Sequence, residues 1–350
     1  KIYSRSKMQI SLKWINELVN IETVSLDYLI EKLTLGGFEV EEILEVEIEN
    51  QKQVVLDISA TANRSDSLSI QGFSLEIAAL LNKPSQISDY SLQDKNWNHQ
   101  IKKFSKSLPL ESPCSTFLSV IIENIENTSV PKWIKQKLVS SGITPLNNLL
   151  DFQNYILLET GYPFAFYDFD KISSKLGQSE LKLSISKSVE ERTFFASNGE
   201  KYQLNDSILL INANDIPISI AGIIESQDFS YSQDTNCLLI EASIFNAAQI
   251  RQQARSLGLR TERSARYEKS LKNTYLSESL YRLVSLLRIS NPNIICKLHT
   301  VNYADEQVPE PILLRYKTIT EILGPIEKHT KGHFNYIEPE IVASYLDRLN

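Results

Sequence analysis

The sequence predicts an α+β fold: a small α+β N-terminal domain, a central domain with mixed or antiparallel sheet, and the start of a third small α+β module. First, 350 residues are too many for one ordinary hydrophobic core. Second, strand-like and helix-like segments follow one another without the regular alternation of a doubly wound fold. Third, the composition, 42% hydrophobic and 23% charged, is typical of globular proteins.

The N-terminal domain is predicted to cover residues 1–84, with two short helices followed by an edge strand at 38–46. The first helix surrounds Trp14, and the second begins after Ser25 as N-cap and ends at Gly36-Gly37. The apolar run 54–58 predicts a second strand, and the helical spacing from Ile70 onward predicts a third helix. The segment TANRSDSLSIQG at 61–72 joins these two elements as a dense polar turn. We expect Asp66 to cap the third helix.

The polar segment 85–110 predicts a linker, and residues 111–304 form the predicted central domain. Its periodicity predicts strands at 118–122, 181–185 and 207–211, a strand pair or turn at 216–224, and helices at 130–139, 247–257 and 276–287. Residues 305–350 predict the beginning of a third module. Its last helix has an apolar face without a partner, so we expect the chain to be truncated there.

Charge and cysteine content restrict the classes of function. The formal net charge is -7, so any contact with RNA is expected to be local or supplied by a partner. The three cysteines (Cys114, Cys237 and Cys296) are odd in number and widely spaced, which favours a reducing compartment. No apolar run approaches the roughly 18 residues of a membrane span. Met8 resembles a natural start, so we interpret residues 1–7 as a short extension.

Six collinear segments resemble the β subunit of phenylalanine–tRNA ligase. They are the opening 8–43 with LTLGGFEV, the turn at 61–72, PKW with NLLDFQNY at 131–155, ETGYPF at 159–164, LLIEA at 238–242, and LGLRTERSARYEK at 257–269. The match spans nearly the whole chain. Bacterial members insert an oligonucleotide-binding barrel in the first module, and no room for it exists after Val46. The shortened layout resembles the plastid-encoded form.

This resemblance implies a role in attaching phenylalanine to its tRNA in protein synthesis. The aminoacylation centre, which uses ATP, would lie on the α subunit, and this chain accordingly has no glycine-rich phosphate loop. The implied partners are the α subunit, in an α2β2 heterotetramer, and tRNA(Phe), without a membrane. The Mg²⁺ site of the family would lie beyond residue 350. The implied location is the plastid (chloroplast), with the bacterial cytoplasm as the alternative.

Bacterial relatives also hydrolyse tyrosyl-tRNA in the central domain, because an apolar pocket for phenylalanine rejects tyrosine poorly. Mapping that editing pocket onto this chain gives a vestigial site and no catalytic residue. Glu241 matches the glutamate that reads the hydroxyl, and Asn154, Pro163 and Thr261 also match. Five positions depart from the family: Ala165 for histidine, Gln153 for threonine, Glu225 and Ser226 for two glycines, and Arg263 for alanine. We expect Arg263 to pair with Glu241 and fill the pocket. The alternative function is a still-active editing hydrolase.

Local context leaves other interpretations open. Without the resemblance, Glu241 would be read as a surface residue at a strand end. Arg260, Arg263 and Arg266 recur every third residue, which suits either a solvated helix face or contacts to tRNA phosphates. Cys296 and His299 with His329 and His333 have zinc-like spacing, but the composition around the second pair favours a loop and nothing brings the two pairs together, so no metal site is predicted here. A structural interaction module without an RNA role is the third hypothesis.

Overall fold

The computed structural model describes residues 7–59, 61, 63–87, 113–126, 128–178, 180–188, 192–303, 310–327 and 334–349. The predicted linker 85–110 falls almost entirely outside these residues, as do the extension 1–6 and both His329 and His333. The predicted domain boundaries stay predictions. Within the described chain, no helix combines the length and the apolar character needed to cross a membrane.

The N-terminal domain is a three-stranded antiparallel sheet covered by helices. In chain order its elements are β1 (Lys7–Ser11), α1 (Leu12–Asn16), α2 (Leu26–Leu35), β2 (Glu39–Ile48), β3 (Gln51–Ser59) and α3 (Ile70–Leu81). The sheet order is β1-β3-β2, which places the predicted edge strand at an edge. Ser25 caps α2 as expected, with its Oγ accepting from the backbone N–H of Tyr28.

The expected cap of α3 is wrong. Ser69, not Asp66, is the N-cap: its Oγ accepts a hydrogen bond from the N–H of Gly72 at 3.0 Å. The Asp66 carboxylate instead binds the guanidinium of Arg64 at 2.8 Å, and Arg64 also binds Glu76 of α3 at 2.7 Å. The carboxylate is therefore used to fix the turn rather than to begin the helix.

The central domain holds two four-stranded antiparallel sheets, which confirms the predicted fold class. The first has the order β13-β4-β12-β5, the second β11-β10-β9-β6, and β7 pairs with β8. The strands are β4 (Cys114–Glu123), β5 (Ala165–Asp168), β6 (Leu183–Lys187), β7 (Arg192–Phe195), β8 (Lys201–Leu204), β9 (Leu209–Ala213), β10 (Ile216–Ile220), β11 (Ile224–Glu225), β12 (Leu238–Phe245) and β13 (Ile295–Tyr303). The helices are α4 (Lys132–Ser140), α5 (Leu149–Thr160), α6 (Phe169–Leu176), α7 (Ala247–Leu257), α8 (Glu262–Tyr267) and α9 (Leu276–Ser290).

An aromatic contact joins the N-terminal domain to the central one. Trp14 of α1 stacks on Tyr155 of α5 with ring centroids 5.2 Å apart, and Trp133 of α4 meets the same tyrosine edge-on. The ammonium of Lys137 lies 4.7 Å from the Trp14 ring and binds Glu17 at 2.5 Å. Trp14 is buried, whereas Trp133 is 36% exposed.

The last described segments are short: α10 (Tyr316–Leu323), β14 (Ile326–Glu327), β15 (Phe334–Asn335) and α11 (Pro339–Asp347). Strands β14 and β15 pair with each other. Neither helix buries a residue in the described chain, so this module adds nothing to the core of the two preceding domains.

Candidate functional site

The site is built around Glu241 in the middle of β12, the strand between β4 and β5 in the first sheet. Ser119 of β4 and Ala165 of β5 lie directly opposite Glu241, one on each side. Glu241 is only 4% exposed, so the interpretation as a surface residue is wrong. Its Oε1 and the hydroxyl of Tyr167 on β5 are buried without a hydrogen-bond partner among the described residues.

Burial determines the electrostatic state of Glu241. Loss of hydration raises the pKa of its carboxyl to about 7, and the nearby Arg263 guanidinium only partly opposes this shift. Burial also raises the pKa of the Tyr167 phenol well above its ordinary value. The carboxyl is therefore half protonated near neutral pH, and the phenol stays neutral there.

The predicted pair between Arg263 and Glu241 is wrong. Arg263 Nη1 binds Glu225 Oε1 at 2.9 Å, and its Nη2 donates to the backbone carbonyl of Ile223 at 3.2 Å. The side chains of Arg263 and Glu225 are 13% and 15% exposed. Glu225 becomes the partner because β11 contacts β5, an arrangement of edge strands that local sequence does not encode. We call this ion pair the Glu225–Arg263 clasp.

Thr261 fixes the backbone on which Arg263 sits. Its Oγ1 accepts from the N–H of Ser264 at 3.1 Å, and its own N–H donates to Ser264 Oγ at 3.0 Å, which makes a capping box for α8. The Thr261 hydroxyl also donates to the Ile223 carbonyl at 3.1 Å. Thr261 is thus a capping residue that attaches α8 to the segment before β11.

The remaining predicted site residues lie on α5 and the turn after it. Gln153 is half-buried; its Nε2 donates to the carbonyl of Phe164 at 2.5 Å, and its Oε1 accepts from the Tyr231 hydroxyl at 3.4 Å. Asn154 is half-buried and Pro163 is buried. Among the described residues, no hydrogen bond joins Asn154 to Glu241. The structure therefore brings together Glu241, Ala165 and Arg263 more closely than the rest of the predicted set.

Tyr231 is a residue that sequence reasoning missed. It is partly buried between Gln153 and Phe166, and its ring lies 6.0 Å from that of Phe166. Burial raises the pKa of its phenol, with the Glu225 carboxylate adding to the shift. Its electrostatic coupling to Glu225 and Arg263 places it beside the clasp, and no motif in the sequence indicated this.

The arrangement offers little for catalysis. Ala165 stands beside Glu241 and cannot transfer a proton. The three cysteine thiols are buried and form no disulfide in the described chain, and burial raises the pKa of Cys114 and Cys237 to about 12, which makes both poor nucleophiles. In the described ranges, no group of three His, Cys, Asp or Glu side chains could hold a metal ion. The zinc-like histidines His329 and His333 lie outside those ranges.

The polar turn at 61–72 forms a second constellation, where distant motifs meet. Lys269, just after α8, donates from Nζ to the Thr61 carbonyl at 3.0 Å, across 208 positions of sequence. A Cβ added at Gly161 would lie 3.1 Å from Ser69 Cβ, so the turn after α5 also packs against this segment. Three of the collinear motifs, at 61–72, 159–164 and 257–269, therefore meet in space.

A family model described as the B3/4 domain matches residues 113–290. The chloroplastic phenylalanine–tRNA ligase β subunit of Phaeodactylum tricornutum is 61% identical over 98% of this chain and 49% of its own length. The chloroplastic β subunit of Porphyra purpurea is 34% identical, over 95% of this chain and 46% of that protein.

The β subunit of the cyanobacterium Synechococcus elongatus is 35% identical over 78% of this chain and 33% of its own length. An N-terminal fragment of the phenylalanyl-tRNA synthetase β-subunit from Pyrococcus horikoshii covers 98% of this chain at 13% identity, with a TM-score of 0.39. The chain spans about half, or less, of the length of the curated relatives it matches. The resemblance predicted from the motifs is confirmed.

Proposed function

We propose, from the premise that this chain belongs to the B3/4 domain family, that it serves in a plastid as the corresponding part of a phenylalanine–tRNA ligase β subunit. One observation carries this proposal: 61% identity, over 98% of the chain, to a protein named as the chloroplastic β subunit of that ligase. The names of two relatives, from a diatom and a red alga, support the plastid location.

The chain would support aminoacylation rather than perform it. A phenylalanine–tRNA ligase α subunit would bind ATP and form phenylalanyl-adenylate, and two copies of each subunit would assemble to act on tRNA(Phe). The buried carboxylate of Glu159 is used in an ion pair, with Arg282 at 2.8 Å. Since no cluster in the described chain fits Mg²⁺, no step of the proposed function passes through a metal held here.

We further propose that the pocket at Glu241 does not hydrolyse mischarged tRNA. The Glu225–Arg263 clasp and Ala165 support this: two charged side chains stand at positions where the family pattern has small ones, and an alanine replaces its histidine. The unpartnered Oε1 of Glu241 is buried, so a substrate could reach it only if surrounding side chains moved. Nothing in the site favours the alternative of an active editing hydrolase.

The decisive experiment co-expresses the full reading frame with the α subunit of the same plastid. We expect a stable complex that charges tRNA(Phe) with phenylalanine, and no deacylation of tyrosyl-tRNA above the uncatalysed rate. A bacterial phenylalanine–tRNA ligase serves as the positive control for deacylation. Failure of the two chains to co-purify would reject the ligase assignment, whereas rapid deacylation would reject only the closed pocket.

A further inference from the structure

A basic segment stands out in an acidic chain. Residues 251–272 contain seven Lys or Arg and two Glu, whereas the whole chain has a formal net charge of -7. This segment comprises most of α7, all of α8 and the turn that follows. Local positive charge of this kind is the electrostatic footprint expected of a contact to a polyanion.

The structure separates these cations into an outer and an inner group. Four are exposed and define what we call the α7–α8 basic surface: Arg251, Arg255, Arg260 and Lys272. Helices α7 and α8 pack together, and Arg251 Nη2 donates to the backbone carbonyl of Glu268 at 2.5 Å. Arg251 and Arg255 are four positions apart on α7, so they lie on one helix face, about 6 Å apart along the axis.

The inner group lies beneath this surface. The Arg266 side chain is 5% exposed; Nη1 binds Glu262, but Nε is buried without a hydrogen-bond partner among the described residues. Arg263 and Arg266 are therefore not members of a solvated stripe, and that interpretation is wrong for both. Lys269 is buried and bound to the Thr61 carbonyl.

Positive charge stays in excess here although three carboxylates pair with cations of this segment, including Glu225 with Arg263. Arg260 Nε lies 3.4 Å from Glu268, and Glu262 pairs with Arg266. Burial, together with the charges of Arg260 and Arg266, lowers the pKa of Lys269, and Asp66 of the facing turn only partly opposes this. The three paired carboxylates are fewer than the seven Lys and Arg of the segment, so its net charge stays positive and an added anion would be stabilised.

We propose that the α7–α8 basic surface binds the phosphate backbone of RNA. Its exposed cations are spread along a helix face and the adjoining turn rather than converging on one point, which suits several successive phosphates better than one small anion. Such contacts position an RNA without reading its sequence. The assignment of this RNA as tRNA(Phe) rests on the proposed function, whereas the presence of the basic surface does not depend on it.

The test measures binding of a labelled tRNA(Phe) transcript to the complete protein across a series of salt concentrations. The variant replaces Arg251, Arg255 and Lys272 with Gln. Each backbone contact contributes roughly 0.7 to 0.9 to the slope of log K against log salt, so we expect that slope to fall by about two. Affinity at about 0.1 M salt should fall on the order of tenfold or more.

The matched control replaces Lys13, Lys52 and Lys175, which are exposed on other elements, with Gln. It removes the same charge and should leave the slope nearly unchanged. Equal weakening by both triple variants, or by neither, overturns the inference, provided circular dichroism shows both folded. If the protein binds RNA but does not assemble with an α subunit, the proposed function alone is rejected. If the α7–α8 variant binds tRNA and supports aminoacylation as the wild-type protein does, this inference alone is rejected.

Discussion

Breaking the Glu225–Arg263 clasp should destabilise the central domain, and the effect of replacing one partner should depend on whether the other is present. The substitution Arg263→Met keeps the length of the side chain and removes its charge and both hydrogen bonds, to Glu225 and to the Ile223 carbonyl. Removing one member of a buried ion pair costs about 3 to 5 kcal/mol because the other charge is left behind. The side chains here retain 13% and 15% exposure, so we expect the lower part of this range, about 3 kcal/mol.

A double-mutant cycle isolates the clasp from other effects of the substitution. Glu225→Gln alone should also destabilise, whereas the double variant should lose less than the two single losses added, with a coupling of about 2 kcal/mol. Equilibrium urea unfolding followed by circular dichroism gives the four free energies of unfolding. Strictly additive losses, with a coupling below about 0.5 kcal/mol, would refute the assignment of Glu225 as the partner.

The pH dependence of the same variant provides an independent check. The Arg263 charge lowers the pKa of Glu241, so its removal should raise that pKa above about 7. At pH 8 the folded wild-type protein holds an ionised Glu241 that loses its favourable neighbour in Arg263→Met, whereas at pH 5.5 Glu241 is protonated in both proteins. The loss of unfolding free energy should therefore be larger at pH 8. An equal loss at both pH values would contradict the electrostatic contact between Arg263 and Glu241.

Three further changes test other parts of the structure. Gly72→Ala would place a Cβ 1.9 Å from the Asp66 carbonyl oxygen, so the start of α3 must shift; we expect a loss of about 3 kcal/mol in urea unfolding. Glu241→Gln removes a carboxyl whose pKa is raised by burial from 4.5 to about 7. Because the folded wild-type protein favours the protonated carboxyl, its free energy of unfolding should fall by about 3 kcal/mol relative to that of the variant as the pH rises from 4.5 to 7. Unfolding of both proteins at each pH measures this difference. Lys269→Met removes the hydrogen bond to the Thr61 carbonyl and should cost about 1 to 2 kcal/mol in thermal unfolding.

Elements with strong local signals were predictable from the sequence. Helix α7 occupies the predicted range 247–257 and ends where Gly258 adopts a φ of 62°, a conformation that glycine permits without strain. The Ser25 cap of α2 is likewise local, since donor and acceptor are three residues apart. Periodicity and capping chemistry suffice in such cases because all interacting groups lie within one or two turns.

Choices among competing partners were not predictable. Both Asp66 and Ser69 could cap α3, and Asp66 is diverted because it binds Arg64, which is also held by Glu76 in the second turn of α3 itself. Glu241 and Glu225 could both pair with Arg263, and the outcome depends on how β11 lies against β5. In each case the sequence predicted that the side chain would bind a polar partner, but the folded arrangement of neighbouring segments selected which partner it binds.

The proposed closure of the pocket at Glu241 would depend on backbone contacts as well as on charge. The Ile223 carbonyl accepts from both the Thr261 hydroxyl and Arg263 Nη2, so the same atom holds the start of α8 and the arginine. Gly222 turns the chain from β10 into this segment at a φ of 68°, and a Cβ there would lie 2.8 Å from Ile250 Cδ1 of α7. Because the turn, the cap and the clasp share these contacts, we expect that Arg263 can leave its position only together with α8, and that opening of the pocket would require this helix to move.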